Sequence, residues 1–343
     1  MQDARLRKLE GSRVLVTGGG GLVGSRIVAL LARVGAAAIV LDRFDAYPHP
    51  VRGLFDVDTY AAKVVCGDVR DAVTVRALVA RADFVIHAAA YTDVAACTRR
   101  PDLAFAANLH GTQTVLQEVV ASPVRRLVFV SSASVYGNGT GNGARRFTES
   151  RPPTPVSVYA NTKLWGEHQV RLMIGGSSAR EYSVLRYFSV YGEPQIPKPG
   201  SHSWMVPWLA MSAQLGLPML LNGGGHQVRD MVHVDDIARA TVLTLVADKA
   251  AAQTINIGSG RATSVRDIAE LIARHYPDAV LRDAPRPDGD PLGGYADTRR
   301  SEELLGWAPT ITLEQDIDRY VSWLKNNPHV VPDWILPTTT PGT

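Results

Sequence analysis

The sequence predicts an α/β protein built on a doubly wound parallel sheet. Short apolar runs alternate with helix-length segments through the first half of the chain, and this alternation is typical of parallel strands joined by crossover helices. A glycine-rich turn, TGGGGLVG at 17–24, joins the first apolar run to the first helical segment. The length of 343 residues and the apolar content of 45% suffice for one large α/β unit or two packed domains.

The predicted strands are short and rich in aliphatic residues, as buried parallel strands are. They lie at 13–17, 38–41, 63–66, 84–87, 126–131 and 182–186, with later strands at 228–234 and 254–257. The predicted helices lie at 22–34, 71–80, 103–120 and 159–173, followed by one that contains Trp208 and Met211 and one that ends at Leu245. Asp235 and Asp236 can cap this last helix.

After Tyr187 the strand–helix alternation gives way to loop chemistry. The stretch SVYGEPQIPKPGSHSW at 189–204 is rich in proline and glycine. We therefore expect a first domain at 1–187, to which 228–258 returns, and a smaller second domain formed by 188–227 and 259–325. The tail at 326–343 is punctuated by prolines and is predicted to be extended.

Composition and charge exclude several classes of function. The net charge is only +3 and basic residues are spread along the chain, so no nucleic-acid partner is expected. Cys66 and Cys97 have no metal-type spacing, and the nine histidines form no HxxxH or HxH pair, so no metal site is predicted. Two free thiols, no apolar run of about 18 residues and no signal peptide together favour a cytoplasmic protein that does not enter a membrane.

The glycine turn indicates a dinucleotide-binding site in the first domain. Gly18, Gly21 and Gly24 form GxxGxxG, and Gly19 with the last two also fits GxGxxG. Glycines let backbone N–H groups approach a diphosphate, and the helix N-terminus adds partial positive charge. A tight structural turn remains the alternative for the glycines alone. The position between a strand and a helix favours a sheet of the Rossmann type.

Acidic residues follow the next two strands. Asp42 ends the second strand, where a carboxylate accepts hydrogen bonds from both adenosine ribose hydroxyls and repels a 2′-phosphate. NAD is therefore favoured over NADP. Arg43 could instead reach a 2′-phosphate, which leaves NADP open. Asp68 follows the third strand and fits either adenine recognition or a local turn.

Tyr159 and Lys163 are the predicted catalytic pair. They are four positions apart on a predicted helix, so their side chains share one helical face. A nearby ammonium is expected to lower the pKa of the phenol, which makes tyrosine usable as a base. Ser132, at the end of the fifth strand, can hydrogen-bond the same substrate hydroxyl. Ser131 and Ser134 compete for that role.

Ordered sequence blocks along nearly the whole chain give this sequence a family resemblance. They include TGGGGLVG, CGDVRD (66–71), HAAA (87–90), NLHGT (108–112), FVSSASVYG (129–137), YANTK (159–163), LRYFSVYG (185–192), RDMVHVDD (229–236), INIGSG (255–260) and YADT (295–298) with LGWAP (305–309). The chain resembles the extended short-chain dehydrogenases/reductases, and among them the NAD-dependent nucleotide-sugar epimerases and dehydratases.

The resemblance implies a role for each matching position. It makes Ser132, Tyr159 and Lys163 catalytic. It places the following residues around NAD: Gly18, Gly21, Leu22, Val23, Gly24, Asp42, Arg43, Asp68, Val69, Ala88, Ala89, Ala90, Asn108, Tyr159, Lys163 and Tyr187. It places the following residues around the nucleotide sugar: Ser132, Ser134, Tyr159, Ser189, Arg229, Arg286 and Asp290. It also implies a homodimer joined through the helices predicted at 103–120 and 159–173.

The residues at 132–134 bear on the reaction type. Relatives that eliminate water or carbon dioxide carry Thr-Asp-Glu or Thr-Ser-Glu here, whereas this chain has Ser-Ala-Ser. Ala133 supplies no proton donor and Ser134 is a weak acid, so the resemblance favours a 4-epimerase acting on a UDP- or dTDP-linked hexose, hexosamine or uronate. A 4-keto-sugar reductase with the same residues, a 4,6-dehydratase, and a silent NAD-binding protein are the alternatives.

Overall fold

In the computed structural model, residues 4–47, 49–138, 145–176, 180–198, 204–286 and 292–335 are described. Seven strands form one parallel sheet in the order β12-β7-β5-β4-β1-β2-β3. All strands of the described chain, in chain order, are β1 Arg13–Thr17, β2 Ala37–Asp42, β3 Lys63–Cys66, β4 Phe84–His87, β5 Arg126–Ser132, β6 Arg145–Phe147, β7 Glu181–Tyr187, β8 Ser189–Tyr191, β9 Met219–Asn222, β10 Val228–Arg229, β11 Met231–His233, β12 Gln253–Ile257, β13 Thr263–Ser264, β14 Leu281–Ala284 and β15 Gly294–Ala296. The predicted fold class, a doubly wound α/β sheet, is confirmed.

The helices cover both faces of this sheet. They are α1 Leu22–Arg33, α2 His49–Arg52, α3 Val57–Tyr60, α4 Ala72–Val79, α5 Val94–Arg99, α6 Pro101–Ala104, α7 Thr112–Val120, α8 Val158–Met173, α9 Met205–Gln214, α10 Val234–Thr244, α11 Val265–Ala273, α12 Arg299–Leu305 and α13 Leu313–Asn326, with a π-helical stretch at Phe105–Gly111. Among the described residues, none of these helices has the length and apolarity needed to cross a bilayer.

Two apolar layers enclose the sheet because successive strand residues point to opposite faces. Val14 and Val16 of β1 pack in the layer under α1 and α10, whereas Leu15 between them packs in the layer under α4, α7 and α8. The first layer continues without interruption into the C-terminal part of the chain, where Trp307 and Ile317 are buried.

The order of the strands creates a crevice at one edge of the sheet. The chain runs from β1 to β2 on one side and returns to β4 on the other, so both β2 and β4 pair with β1. In open parallel sheets, ligands bind outside the carboxyl ends of the strands at this reversal point. The glycine turn after β1 and the residues after β4 therefore flank the crevice.

The helix predicted at 103–120 is interrupted. It consists of α6, seven π-helical residues and α7. The wide turn carries Asn108, whose side chain accepts a hydrogen bond from the Tyr91 N–H (2.7 Å) and donates to the Tyr91 carbonyl (3.0 Å) and Thr162 Oγ1 (3.0 Å). These tertiary bonds stabilise a local geometry that apolar periodicity does not reveal, and such π-bulges concentrate at functional sites.

The strand predicted at 228–234 is also broken, at Asp230. The buried carboxylate of Asp230 accepts hydrogen bonds from the backbone N–H groups of Ser259 (2.6 Å), Gly260 (3.0 Å) and Ala296 (2.8 Å). These bonds tie the loop at Ser259 and Gly260 and the end of strand β15 to the residue that precedes β11. The helix that follows is capped by His233, whose Nδ1 accepts from the Asp235 N–H, so the predicted capping by the two aspartates is wrong.

The division into two domains stays a prediction. Its returning segment is supported by two observations, since β12 is the edge strand beside β7 and α10 packs against α1. In the tail, the described residues form two single turns of 3₁₀ helix, Pro328–Val330 and Asp333–Ile335, and Trp334 stacks on Trp208 with ring centroids 6.1 Å apart.

Candidate active site

The carboxyl ends of the strands bring the predicted site residues to one edge. Thr17, the last residue of β1, is aligned with Leu41 of β2 and with His87 of β4. Ser132 ends β5 opposite Tyr187 of β7. The glycine turn, the Ala88–Ala90 loop and the serine therefore border the same crevice, although they are far apart in sequence.

At two positions of the glycine turn, a side chain would collide with backbone atoms. Gly18 has φ +74°, and a Cβ there would lie 2.7 Å from the backbone nitrogen of Ala89. A Cβ on Gly24 would lie 2.1 Å from the carbonyl oxygen of Gly18. Gly21 precedes α1 as its N-cap and has no such protein contact, since its nearest atom is 3.6 Å away. The turn thus closes against itself and leaves the helix N-terminus accessible, a cradle that fits a dinucleotide diphosphate.

Asp42 is fixed beside this cradle. Its Oδ2 accepts a hydrogen bond from the Gly20 N–H (2.9 Å) and its Oδ1 accepts from the Phe44 N–H (2.7 Å). Burial raises the pKa of Asp42 and these two bonds oppose the rise. Each carboxylate oxygen retains a lone pair, so the group can still accept from ribose hydroxyls.

The neighbouring charges are paired with each other. Arg43 Nε donates to Asp45 (2.9 Å), and its Nη1 lies 3.6 Å from Asp68 Oδ2. Asp68 also binds the backbone N–H (2.9 Å) and guanidinium (2.7 Å) of Arg70, which lowers the pKa of Asp68. Arg43 is therefore occupied by two carboxylates, which disfavours the NADP alternative. Asp68 forms the local turn, and its role toward adenine stays a prediction.

Ser132, Tyr159 and Lys163 converge beside the crevice. Lys163 is 4% exposed, its Nζ donates to the Val130 carbonyl (2.8 Å), and it lies 5.9 Å from the centre of the Tyr159 ring. Ser132 Oγ accepts hydrogen bonds from the N–H (3.1 Å) and the hydroxyl (2.9 Å) of Ser134. Ser134 therefore orients Ser132. The helix that carries the pair begins at its N-cap Ser157, whose side chain accepts from the Ala160 N–H.

The pKa of Tyr159 is shifted in the direction opposite to the prediction. Burial raises it, and a hydrogen bond with Ser132 only partly opposes the rise. Burial lowers the pKa of Lys163 to about 8, so its ammonium is still mostly protonated at neutral pH. The prediction considered the charge of the lysine and neglected the desolvation of the phenol, which a sequence does not display.

A buried ion pair supports the catalytic helix from behind. Glu167, one turn beyond Lys163, is fully buried and receives bonds from the Arg186 guanidinium (2.8 and 2.7 Å) and from Ser131 Oγ (2.7 Å). The Ser131 hydroxyl is therefore engaged by Glu167 and does not compete with Ser132 for the substrate. Sequence reasoning missed this pair, although an arginine inside the apolar strand LRYFSVYG signals a buried partner.

The structure places the other predicted NAD residues in different surroundings. Both amide hydrogens and one oxygen lone pair of Asn108 are engaged by Tyr91 and Thr162, so its side chain positions the loop after Ala90. The Tyr187 hydroxyl is bonded to Thr241 Oγ1 at 2.5 Å. Both polar groups are therefore engaged by protein partners, and their role toward NAD stays a prediction. Leu22 and Val23 begin α1, and Val69 is buried after β3.

The other predicted nucleotide-sugar residues, beyond Ser132, Ser134 and Tyr159, belong to the C-terminal part. Ser189 is half-buried, and its N–H donates to the Asp230 carbonyl (2.9 Å). Arg229 Nη1 donates to the Val228 carbonyl (2.9 Å), and Arg286 is exposed. Asp290 lies outside the described residues. Asp230, which sequence reasoning missed, fixes the loops around Ser189 and Arg229.

One cluster has the residue types of a metal site. Glu193, His233 and Asp316 place candidate ligand atoms within 4.8 Å of one another. The Arg319 guanidinium lies among them, at 2.8 Å from Glu193 Oε1, 2.7 Å from His233 Nε2 and 2.9 Å from Asp316 Oδ1. This guanidinium supplies the positive charge that a metal ion would otherwise bring.

We expect Asp316→Asn to change the pH dependence of stability. Burial raises the pKa of Asp316 from 3.8 to about 6, against the pull of His233 and Arg319. Because the folded state binds this proton more tightly than the unfolded state, protonated Asp316 stabilises the fold at pH values below 3.8, the pKa in the unfolded chain. This stabilisation is lost as the pH rises to about 6, the pKa in the folded protein. The melting temperature of the variant should therefore rise relative to that of the native chain between these two values. Asp318→Asn, at a side chain that is 70% exposed, is the control. A pH-independent difference for Asp316→Asn would contradict the expectation.

Fold and site together define the class of protein: an NAD-dependent enzyme of the short-chain dehydrogenase/reductase type, with a glycine cradle, an acidic residue after β2 and a Ser–Tyr–Lys set. The chain belongs to the NAD dependent epimerase/dehydratase family, whose model matches residues 14–258. It is an NAD-dependent nucleotide-sugar epimerase, and the predicted family and cofactor are confirmed.

The relatives are similar over their whole length. A dTDP-L-rhamnose 4-epimerase from Burkholderia thailandensis is 30% identical over 94% of this chain and 98% of its own. A UDP-glucose 4-epimerase from Halalkalibacterium halodurans is 30% identical over 92% of this chain and 96% of its own. The solved Thermotoga maritima UDP-glucose 4-epimerase with UDP-glucose has a TM-score of 0.83 at 27% identity and covers 92% of this chain and 99% of that one.

Proposed function

We propose that the chain inverts C4 of a nucleotide-linked hexose through a transient 4-keto sugar. The observation that carries the proposal is the arrangement of Ser132, Tyr159 and Lys163 next to the glycine cradle, with Ala133 where an eliminating enzyme needs an acid. Bound NAD supplies the hydride acceptor and, once reduced, the donor. The residues of the chain bind, orient and move protons.

The proton of the sugar 4-hydroxyl passes to Tyr159. Ser132 Oγ, held by two bonds from Ser134, is the relay between the substrate hydroxyl and the phenol. The Lys163 ammonium, buried and anchored on the Val130 carbonyl, stabilises the phenolate. When the keto sugar has presented its other face, Tyr159 returns the proton through the same path. The raised pKa of Tyr159 means that the site needs further positive charge from its ligands to ionise the phenol.

The substrate is a UDP- or dTDP-linked sugar. Relatives whose names specify these nucleotides cover almost the whole chain. Arg229 and Arg286 are proposed to face the diphosphate, because a guanidinium fork matches its oxygens, and Ser189 to face the sugar. Asp290 is proposed for the nucleotide ribose on the resemblance alone.

The decisive experiment supplies UDP- and dTDP-sugars to the purified protein without added cofactor. C4 configuration is followed by NMR. An epimerase recycles its NAD, so inversion should proceed with the NAD that co-purifies. Turnover only in the presence of added NADH or NADPH would favour the reductase, and loss of water from the sugar would favour the dehydratase.

Replacing the relay serine should lower turnover without abolishing it. We expect Ser132→Ala to reduce kcat by roughly 10- to 100-fold, because the phenol loses its bridge to the substrate. Ser134→Ala should have a smaller effect, since it only frees Ser132 to rotate. Initial rates of C4 inversion measure both. Equal losses in the two variants would show that Ser132 has no direct role.

We also propose that the chain forms a homodimer through α6–α7 and α8. Phe105, beside α6, and Leu172, on α8, are 50% and 73% exposed, and burial of such side chains stabilises association. Sedimentation analysis tests the stoichiometry. The cytoplasmic location stays a prediction.

A further inference from the structure

Lys198 is a half-buried lysine that no hydrogen bond or ion pair engages among the described residues. Its Nζ lies 5.2 Å from the centre of the Tyr47 ring and 5.6 Å from that of Trp204. The indole Nε1 of Trp204 is buried and likewise has no acceptor in the described part of the chain. Two donors without acceptors therefore lie together, next to the loop that follows β2.

The backbone that leads to Lys198 is anchored to two helices, α1 and α13. The Glu193 carbonyl accepts from Arg26 of α1 (2.7 Å), and the Gln195 carbonyl accepts from the Tyr320 hydroxyl (2.7 Å). From these anchors the segment reaches Tyr47. The segment that leads to Lys198 is thus tied to the folded body of the protein at Glu193 and Gln195.

The surroundings of Lys198 are acidic. The carboxylates of Asp42, Asp93 and Asp45 raise its pKa, in that order, although burial lowers it further than they raise it. Asp42 also accepts the hydrogen bond from the Gly20 N–H, so the carboxylate that interacts most strongly with Lys198 borders the cradle. A dinucleotide diphosphate is repelled by the same carboxylates.

The other cations near the turn are already engaged. Arg43 is paired with Asp45 and Asp68, and Arg26 is ion-paired with Asp235. The Arg52 guanidinium stacks on the Phe44 ring, 3.8 Å from its centre. The N-terminus of α1 supplies only about half a unit of positive charge. Lys198 adds a compact ammonium, not paired with a carboxylate among the described residues, that can offset the charge of the diphosphate.

We infer that Lys198 binds the diphosphate of the dinucleotide, with the Trp204 indole as a second donor beside it. Because the segment belongs to the predicted second domain, binding of NAD and seating of that segment stabilise each other. The inference concerns retention of NAD and holds whether the enzyme is an epimerase or a reductase.

The test measures how fast bound NAD exchanges with isotope-labelled NAD in the purified holoenzyme. We expect Lys198→Met to accelerate exchange about tenfold, and Lys198→Arg to stay within about threefold of the native rate, because the charge is kept. Raising salt from about 0.05 M to about 0.5 M should accelerate release from the native enzyme more than from Lys198→Met. Lys249→Met, at an exposed lysine, is the control.

Three outcomes would overturn the inference. An unchanged exchange rate in Lys198→Met would show that Lys198 does not bind the diphosphate. If Lys198→Arg also exchanges NAD faster than the native enzyme, and Lys198→Met keeps the native salt dependence, then Lys198 serves only to pack between the two rings. Weaker binding of UDP with normal NAD exchange assigns the ammonium to the substrate. Circular dichroism and melting temperature confirm that each variant is folded.

Discussion

Tyr159→Phe should lower the rate of C4 inversion by about a thousandfold or more while NAD stays bound. The substitution removes one oxygen from a half-buried ring and leaves its packing in place. General acid–base catalysis contributes roughly 10²- to 10⁴-fold to such reactions, and Tyr159 is the proposed proton acceptor in both halves of the cycle. The glycine cradle and Asp42 are not touched by the change, so NAD content per protomer should equal that of the native enzyme.

The matched control for this variant is Tyr276→Phe. Tyr276 donates one hydrogen bond, to Gln214 at 3.2 Å, and lies after α11, away from the crevice. Its loss should leave the rate within about twofold of native. Inversion rates, NAD release on denaturation and melting temperature are compared for both variants. A Tyr159→Phe enzyme with near-native turnover would exclude Tyr159 as the base.

The parts of this site that follow from local sequence are those fixed by local physics. A β-strand that ends in glycines before an amphipathic helix has few alternative structures, so the cradle could be placed from the printed sequence. The carboxyl ends of parallel strands lie at one edge, and this places Asp42, Ser132 and the residues after His87 together. The i, i+4 spacing of Tyr159 and Lys163 needs only the helix.

What could not be predicted depends on contacts between distant segments. Glu167 and Arg186 look like ordinary charged residues until β7 and α8 pack and exclude water from both. Asp230 breaks a strand because its carboxylate binds backbone groups from a later loop and from β15. The direction of the Tyr159 pKa follows from desolvation, which depends on everything packed around the ring.

Gly24→Ala should lower both the melting temperature of the protein and the amount of NAD that it binds. Alanine stabilises a helix interior by about 1 kcal/mol relative to glycine, so helix propensity alone favours the change. The added Cβ would lie 2.1 Å from the Gly18 carbonyl oxygen and 2.6 Å from the Gly19 Cα, both backbone atoms that cannot rotate away. Overpacking of this kind costs about 1–3 kcal/mol, and any shift that relieves it opens the cradle.

Substitutions at two other glycines distinguish the effect of the steric clash on stability from the effect on NAD binding. At Gly21 a Cβ meets nothing of the protein closer than 3.6 Å but stands at the helix N-terminus, where a diphosphate approaches the backbone. Gly21→Ala should therefore melt like the native chain and lose NAD. At Gly53 a Cβ meets nothing within 4 Å, so Gly53→Ala should keep both the native melting temperature and the native NAD content.

The three variants are compared by melting temperature and by NAD content after gel filtration. A Gly24→Ala protein with native melting and a full complement of NAD would show that the turn can rearrange around a methyl group, and the cradle would then not be the rigid element that fixes the cofactor.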